Sequence, residues 1–398
     1  MIYIISPAVA LSIVMILVGV LLFVEARLVR KGSREVVIND NREEPIETPV
    51  GKTLLATLID NGILLPSACG GKGSCGTCRC TVDEGGGDIL PTERVHLSRK
   101  DTLANVRIAC QVKVKSDLKV RIPEEIFNIQ EYHGTVQSND SVATFIKELA
   151  LKLDPGEQLT FAAGAYMQID IPEFELSYKD ISVADRYRAV WKKFNLLGLH
   201  LKAEEPAYRA YSLANPPSAK DLLKFTVRIA TPPPGQPDAP PGIGSSYLFN
   251  LKPGDRVTLT GPYGDFFAKD TKREMCYIGG GAGMAPLRSH ILDQLLTDKS
   301  DRKITFWYGA RSRQEMFYDD EFSDLQDRFG NFSFHVAFSD PQPEDNWEGL
   351  TGFIHQCAHD QYLSMHPDPT EIEYYLCGPP IMISSIEKML DDLGVEPE

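Results

Sequence analysis

Ala68-Cys69-Gly70-Gly71-Lys72-Gly73-Ser74-Cys75-Gly76-Thr77-Cys78-Arg79-Cys80 is the stretch from which the rest of the chain is read. Cys69, Cys75 and Cys78 stand in a Cys-x5-Cys-x2-Cys spacing, and Cys110 follows after 31 residues. Four thiolates converging from one short loop and one later position suit a [2Fe–2S] core, which needs several sulfur ligands at once. Gly70, Gly71, Gly73 and Gly76 let such a loop turn tightly and bring backbone N–H groups to the sulfurs, where they help set the potential. The plant-type iron–sulfur pattern has about four residues between its first two cysteines. The five here lengthen the loop and leave the ligand count unchanged. Structural zinc is the alternative reading, although its cysteines usually come in pairs.

Composition bounds what the 398-residue chain can be. That length exceeds one ordinary core, so two to three folded domains are expected. A hydrophobic fraction of 43% and a charged fraction of 24% are those of an ordered globular protein. The net charge of −14 excludes a nucleic-acid partner, because phosphate binding needs clustered Lys and Arg. Eight cysteines, half of them in or paired with a glycine-rich loop, point to reduced metal ligands rather than a secreted disulfide framework.

The N-terminus is a different material. From Ile2 to Val24 there is no charged residue, and such a run in helical form reaches roughly 34 Å, enough to cross a bilayer core. A secretory signal peptide would need a positive n-region and a small-residue cleavage site, and Met1 to Arg27 has neither. Arg27, Arg30, Lys31 and Arg34 follow at once and hold that flank in the cytoplasm. The expectation is a single-pass membrane protein, with its folded domains on the cytoplasmic side and lipid contact through residues 2–24. The first 34 residues carry +3, which leaves −17 for the body, so the helix rather than surface charge must hold it at anionic lipid.

The pattern then divides in three. Short apolar stretches, Val36 to Ile38 and Val112 to Val114, flank the cysteine loop, with a helix expected over Thr53 to Asn61. Strand-like runs at Gly164 to Ile171, Ala207 to Leu213, Phe225 to Ala230 and Arg256 to Gly261 alternate with turn-rich breaks and predict an antiparallel barrel. From Met275 the pattern becomes strand, glycine loop and helix. Strands are expected at Lys303 to Tyr308, Phe332 to Phe338 and Glu373 to Cys377, and helices carry Leu287, Ile291 and Leu295, then Met382, Ile386, Met389 and Leu393, on single faces. Alternating strands and helices imply a parallel sheet. The expected boundaries are 1–26 for a transmembrane helix, 27–35 for a basic linker, and 36–128, 129–270 and 271–398 for three domains.

Four further motifs carry chemistry. Gly279-Gly280-Gly281-Ala282-Gly283 follows the apolar run Met275 to Ile278 and precedes a helix, where a pyrophosphate would meet exposed amides and a helix N-terminus. It departs from the G-x-G-x-x-G fingerprint, since Met284 or Pro286 fills the third small position. The strand ending in Leu376-Cys377-Gly378-Pro379-Pro380 would deliver a thiol to the carboxyl edge of the sheet, where ligands of open α/β sheets bind; a buried packing role is the alternative for Cys377. In Arg209-Ala210-Tyr211-Ser212 a guanidinium, a ring and a hydroxyl on one strand are expected to share a face and meet a flat phosphate-bearing cofactor. Gly242-Ile243-Gly244-Ser245-Ser246 offers hydroxyls and amides for a second phosphate contact.

Together these motifs resemble the ferredoxin-reductase superfamily, which carries an Arg-x-Tyr-Ser flavin strand, a Gly-x-x-Ser phosphate loop, a Gly-Gly-Gly-x-Gly-x-Ala-Pro nicotinamide loop and a Cys-Gly-Pro-Pro end. With the iron–sulfur segment and the apolar anchor in front, the chain resembles throughout its length the F subunits of bacterial sodium-pumping NADH:quinone oxidoreductases. The resemblance implies a β-grasp ferredoxin domain, a barrel that binds FAD and an α/β domain that binds NADH. It implies FAD contacts from Arg209, Tyr211, Ser212 and Gly242, and contacts near the FAD pyrophosphate from Ser245 and Ser246. It implies NADH contacts from Gly280, Gly281, Ala282, Gly283, Met284, Gly378 and Pro379, with Cys377 near the nicotinamide. Ser212 and Cys377 are the residues expected at the reacting atoms. The family carries an aromatic residue in a short C-terminal tail, and this sequence reads Val395-Glu396-Pro397-Glu398 there.

A hydride from NADH brings two electrons and a cluster accepts one, so the flavin must stand between them. The expected function is therefore electron input to membrane partner subunits of a respiratory complex. Sodium translocation is assigned to those partners, because the run 2–24 holds no ionisable group to mark an ion path. Two alternatives stand beside it: the reductase component of a bacterial oxygenase, and a redox sensor that does not turn over. Glu173 to Glu205 and the proline-rich Pro232 to Pro241 are candidate partner segments, with surface loops as the alternative. Arg311 and Arg313 could hold a 2′-phosphate. His355 and His359 are expected on a solvated helix face, and Cys80, Cys276 and Cys357 as buried packing residues.

Overall fold

The computed structural model describes residues 9, 11–20, 32–233, 235–236 and 239–396. Most of the expected span 2–24 lies outside these. Residues 11–20 are helical with every side chain exposed, and among the described residues no helix is long and apolar enough to cross a membrane. The body divides into two compact units, one of residues to Ser67 with Gly71–Asn128, the other of Ala68–Gly70 with Ile129 onward.

In the first unit, β1 (Ser33–Ile38), β2 (Asn41–Pro49), β3 (Arg79–Glu84), β4 (Val106–Ile108) and β5 (Leu118–Arg121) form a mixed sheet in the order β2-β1-β5-β3-β4. The expected helix is α1 (Leu54–Asp60). Its start is set by Thr53, whose hydroxyl accepts from the Ala56 N–H and so satisfies one of the orphan donors of the first turn. Leu54, Leu55 and Leu58 on its inner face join Val36, Ile108, Leu118 and Val120 in the core. Val112 to Val114 is not a strand. Val112 and Val114 are buried there, but only Lys113 forms a bridge, to Thr53. The short helices α2 (Pro91–Arg94) and α3 (Arg99–Leu103) lead into β4.

A fully buried ion pair fastens α2 to β4. Arg107 holds Glu93 with two bonds, of 2.9 Å and 2.7 Å, and spends its remaining N–H groups on the carbonyls of Gly86, Gly87 and Asp88. Burial pushes Glu93 up, yet the bonds from Arg107 and from the Leu90 and Ile108 N–H groups outweigh it and hold the carboxyl below its usual range.

From Ile129 onward the second unit opens with a long strand, β6 (Gln130–Ala143), and its partner β7 (Ile146–Leu153). Neither is foreseen in the sequence, because β6 places polar residues on its outward alternate positions and mixes them with turn-formers such as Asn139 and Asp140. With β8 (Tyr166–Ile171), β11 (Ala207–Ser212), β12 (Leu222–Arg228) and β13 (Arg256–Tyr263) they form one antiparallel sheet in the order β11-β8-β13-β6-β7-β12. Its two edge strands meet at a bridge between Leu213 and Phe225. The segment 173–205 adds the hairpin β9 (Phe174–Ser177) and β10 (His200–Ala203) and the helix α4 (Asp185–Lys193). Trp191, Tyr178 and Tyr187 of that segment are buried in the sheet's core, with Trp191 donating to the Thr144 carbonyl at 2.7 Å. Its inner face is thus committed to this unit's own stability. The helix α5 (Ile243–Asn250) precedes β13. Part of Pro232 to Pro241 lies outside the described residues.

The remainder is a parallel sheet in the order β17-β16-β15-β14-β18, from β14 (Glu274–Gly280), β15 (Ile304–Ala310), β16 (Phe332–Phe338), β17 (Leu350–Thr351) and β18 (Ile372–Cys377). The helices α6 (Met284–Leu292), α7 (Asp319–Arg328), α8 (Ile354–Gln361) and α9 (Pro380–Asp392) connect and flank these strands. Leu287, Ile291 and Leu295 all face the core, as do Ile386 and Met389.

Removing one member of the buried pair leaves a desolvated charge behind. Glu93→Ala is expected to destabilise the first unit by about 3–5 kcal/mol, read from urea unfolding of the full chain. The stabilisation from Glu93 is present above the unfolded glutamate value, about 4.3, and is lost as pH falls through the lower folded value.

Candidate functional site

The glycine loop is a tight turn built against the last strand. β14 runs on through Gly279 and Gly280, two residues past the expected end, and Gly281–Gly283 makes a single 3-10 turn into α6. A Cβ at Gly283 would stand 2.1 Å from the Cys377 carbonyl oxygen, and one at Gly279 2.5 Å from the same atom. Only glycine allows this approach, so the loop and the Cys377-Gly378 end of β18 form one site at the carboxyl edge of the sheet. Pro379 and Pro380 open α9 there. Cys377 is half-buried, and burial pushes its thiol up to about 11. It is therefore a neutral group at physiological pH. Met284, expected to touch the nicotinamide nucleotide, has its side chain fully buried among Leu287 and its neighbours, and its N–H donates back to the Gly281 carbonyl within the turn, so it fixes the turn rather than presenting a donor.

The strand expected to serve the flavin is β11, paired antiparallel to β8. Its pleat corrects one expectation. Arg209 and Tyr211 are two apart and share a face, whereas Ser212 is next to Tyr211 and lies on the other. The N-terminal turn of α5 lies against the Arg209 face, where a Cβ on Gly244 would be 2.8 Å from Arg209 Cγ and 2.9 Å from Tyr211 Oη. Burial raises the Tyr211 hydroxyl well above its ordinary value. The two serines are engaged inside the protein. Ser245 Oγ accepts from the Ala230 N–H at 3.0 Å and donates to the Gly242 carbonyl. Ser246 Oγ is 2.7 Å from both the Gly242 carbonyl and the Tyr178 hydroxyl. The hydroxyls shape the turn, and its backbone amides are the groups presented for an anion.

In the first unit the thiols of Cys78 and Cys110 share a hydrogen bond, and Cys75 lies near enough for its charge to act on Cys78. The hydrogen bond from Cys78 pulls Cys110 down to about 6, helped by the Gln111 amide and the Gly73 N–H, and pushes Cys78 far up. Thr77 Oγ1 lies 3.1 Å from Cys75 Sγ. Cys69 is half-buried, and the expected positive-φ glycines are present, Gly73 at +79° and Gly76 at +68°. Among the described residues no three ligand side chains close on a single metal ion. A [2Fe–2S] core spreads its thiolates over two irons instead, and the all-sulfur donor set fits it. Cys80, Cys276 and Cys357 are buried packing residues.

Sequence reasoning misses how the two nucleotide-binding parts of the second unit are joined. Arg288, one turn into α6 and nearly buried, holds Glu321 of α7 with two bonds of 2.6 Å and donates at 2.5 Å to the carbonyl of Ala214, just beyond the flavin strand. Its guanidinium stacks 4.6 Å from the Tyr318 ring centroid. Tyr318 donates to Glu148, and Glu148 pairs with Lys224 at 3.0 Å, both on the antiparallel sheet. Ser289 donates to the Asn215 carbonyl at 2.8 Å, and Thr226 to that of Ala282 in the glycine loop at 3.2 Å. An arginine directly after the apolar Leu287 position is the signal that could have found it. Next to it, His290 is buried between Phe266, Tyr277 and Tyr375 and bonds the Phe266 carbonyl at 2.8 Å. Burial lowers it to about 4 despite that bond. Arg311 pairs with Asp340 at 2.9 Å, and Arg313 stacks over Trp347.

A parallel sheet with a nucleotide turn, an antiparallel flavin sheet and a sulfur-ligand loop define an iron–sulfur flavoprotein reductase fed by a nicotinamide nucleotide. Family models agree: the 2Fe-2S iron-sulfur cluster binding domain matches residues 37–115, the oxidoreductase FAD-binding domain 194–267 and the oxidoreductase NAD-binding domain 277–388. The F subunit of the Na(+)-translocating NADH-quinone reductase of Klebsiella pneumoniae is 55% identical over 97% of this chain and 95% of its own length. That of Marinomonas is 53% identical over 97% and 94%. The chain belongs to the family of these F subunits. Among solved structures, a cytochrome P450 reductase of Amycolatopsis aligns at a TM-score of 0.63, with 25% identity over 92% of this chain and 96% of that one. A ferredoxin reductase of carbazole 1,9a-dioxygenase shares the fold, at a TM-score of 0.58 and 24% identity over 92% and 96%.

Loss of the Arg288 tether is expected to misplace α6 relative to the flavin strand. Arg288→Ala should lower the rate of flavin reduction by NADH by about tenfold to a hundredfold while flavin content is retained, measured by anaerobic stopped-flow absorbance. His290 takes up a proton more readily when unfolded, so stability is fully present above about 6.5 and falls as pH drops toward about 4. His290→Phe should flatten the pH dependence of the melting temperature across that window.

Proposed function

We infer that the chain is the electron-input component of a membrane-bound Na+-translocating NADH:quinone reductase. It takes a hydride from NADH onto FAD and passes single electrons through a [2Fe–2S] cluster to membrane partner subunits. The observation that carries this reading is identity above one half to an F subunit of that enzyme over nearly the whole chain, with all three cofactor-binding domains present. Solved oxygenase reductases share the fold at 24–25% identity, which carries architecture and not partner.

When bound, the cofactors supply the chemistry: NADH releases two electrons together as hydride, and the cluster accepts them one at a time from the flavin. The protein binds and orients. Gly280, Gly281, Ala282 and Gly283 would take the NADH pyrophosphate on their amides, with Met284 holding the turn through its N–H to the Gly281 carbonyl and Gly378 and Pro379 closing the other side. Cys377, protonated because burial pushes its thiol up to about 11, would bound the nicotinamide site as a neutral, compact group that neither attacks nor donates charge. Arg209 and Tyr211 would hold FAD from their shared face of β11. Gly242 and the first-turn amides of α5, shaped by Ser245 and Ser246, would meet its pyrophosphate. Ser212, the last residue of β11, is assigned to the reactive edge of the flavin. Cys69, Cys75, Cys78 and Cys110 are assigned as the cluster ligands.

The same reading places residues 2–24 as a single span of the inner membrane, held with the body on the cytoplasmic side by Arg27, Arg30, Lys31 and Arg34. The run has no ionisable group, so the sodium path belongs to partner subunits. The six antiparallel strands are read as a barrel closed by the Leu213–Phe225 bridge, within domain limits of 129–270, followed by the NADH domain at 271–398.

The order of cofactors is tested in the full chain with Cys69→Ala. NADH is expected to bleach the flavin as in the parent protein, while the electron paramagnetic resonance signal of a reduced cluster is absent. Failure of flavin reduction in that variant would contradict the order, and a normal cluster signal would remove Cys69 from the ligand set.

A further inference from the structure

We propose that Gln111 raises the reduction potential of the cluster through an amide hydrogen bond to the sulfur of Cys110, and that Thr92 is the positioning residue that aims this amide. The proposal rests on the reading of Cys110 as a cluster ligand. Gln111 Nε2 lies 3.5 Å from Cys110 Sγ. The amide turns its N–H end to the sulfur, and on its other side Thr92 Oγ1 donates to Gln111 Oε1 at 2.9 Å. This contact holds the carbonyl end of the side chain away from Cys110. The amide is accommodated over Gly73, where a Cβ would stand 2.5 Å from Nε2. Thr92 in turn does not drift, because the next residue, Glu93, is locked by the buried pair with Arg107. A rigid run of contacts thus leads from Arg107 through Glu93, Thr92 and Gln111 to the sulfur.

The physical consequence follows from charge. Reduction adds one electron to the cluster and no proton, and part of the added negative charge falls on the ligand sulfurs. A fixed N–H donor stabilises the reduced form more than the oxidised one, so the potential rises, as hydrogen bonds to cluster sulfurs and their outer partners generally make it do. Thr77, beside Cys75, is a weaker candidate, since its hydroxyl also has the Pro66 carbonyl as an acceptor at 3.3 Å. Gln111 has no charge of its own, so the effect is local and carries little salt dependence.

The test is a redox titration of the full chain under anaerobic conditions, following the electron paramagnetic resonance signal of the reduced cluster, with iron and acid-labile sulfide measured to confirm loading. Gln111→Met keeps the length of the side chain and removes the donor. It is expected to lower the reduced-to-oxidised ratio at the parent midpoint on the order of tenfold, a shift of about 59 mV to more negative potential for a one-electron couple. Thr92→Val, at an exposed position, is expected to shift the midpoint in the same direction by less, and to add nothing in the Gln111→Met background. An unmoved midpoint in loaded Gln111→Met overturns the proposal. If that variant fails to load, an unmoved midpoint in Thr92→Val overturns it instead. A Thr92→Val shift that persists in the double variant removes Thr92 from the pathway. A parent protein with no cluster signal takes down the ligand reading itself, whereas a normal parent signal with unmoved variants takes down this proposal alone.

Discussion

The buried guanidinium of Arg288 is the constraint on which the working geometry of the second unit depends. A hydride moves only when donor and acceptor atoms are in contact, so the strand that serves the flavin and the turn that serves the nicotinamide must be fixed relative to each other. Both ends of that problem meet at one side chain. It rises from α6, whose first turn is the nucleotide site, and ends on the carbonyl of Ala214, just beyond the flavin strand. A buried charge of this kind is tolerated only because Glu321 neutralises it, with bonds short enough to offset its desolvation. Ser289 and Thr226 repeat the same contact with neutral hydrogen bonds on either side.

The first unit solves a different problem, which is to gather thiolates that repel one another once ionised. Three devices do this. Glycines at +79° and +68° bend the loop so that the cysteines return toward each other. Cys78 shares its hydrogen bond with Cys110, which lowers the Cys110 thiol while raising that of Cys78. The buried Glu93–Arg107 pair then ties the segment that follows the loop to β4, the strand that leads into Cys110. The stiffness of this unit therefore bears directly on the cluster's surroundings.

Much of the site is legible in the sequence because its chemistry demands particular residues at short spacing. Cysteine runs, glycine turns and the Cys377-Gly378-Pro379-Pro380 end are local, and local constraints are written in consecutive residues. What the sequence misleads on is orientation. Ser212 groups with Arg209 and Tyr211 as a motif, although the two-residue period of a strand sets it on the opposite face. Ser245 and Ser246 have the look of ligand contacts, yet their hydroxyls are engaged by Gly242, Ala230 and Tyr178. Tyr178 belongs to the segment 173–205, whose inward aromatic face is invisible without the sheet it covers.

The sequence by itself determined the division into a sulfur-ligand segment, a strand-rich flavin segment and an alternating nucleotide segment, since periodicity and motif spacing are properties of neighbouring residues. It also pointed to the candidate donors, because thiolates in number suit an iron–sulfur core. Tertiary structure alone decided how Arg288 spans the second unit, that β6 and β7 complete its sheet, and that Gln111 faces the sulfur of Cys110. Each of those rests on residues brought together from distant positions, or on which way a side chain points, and neither burial nor direction is encoded in any single stretch of the chain.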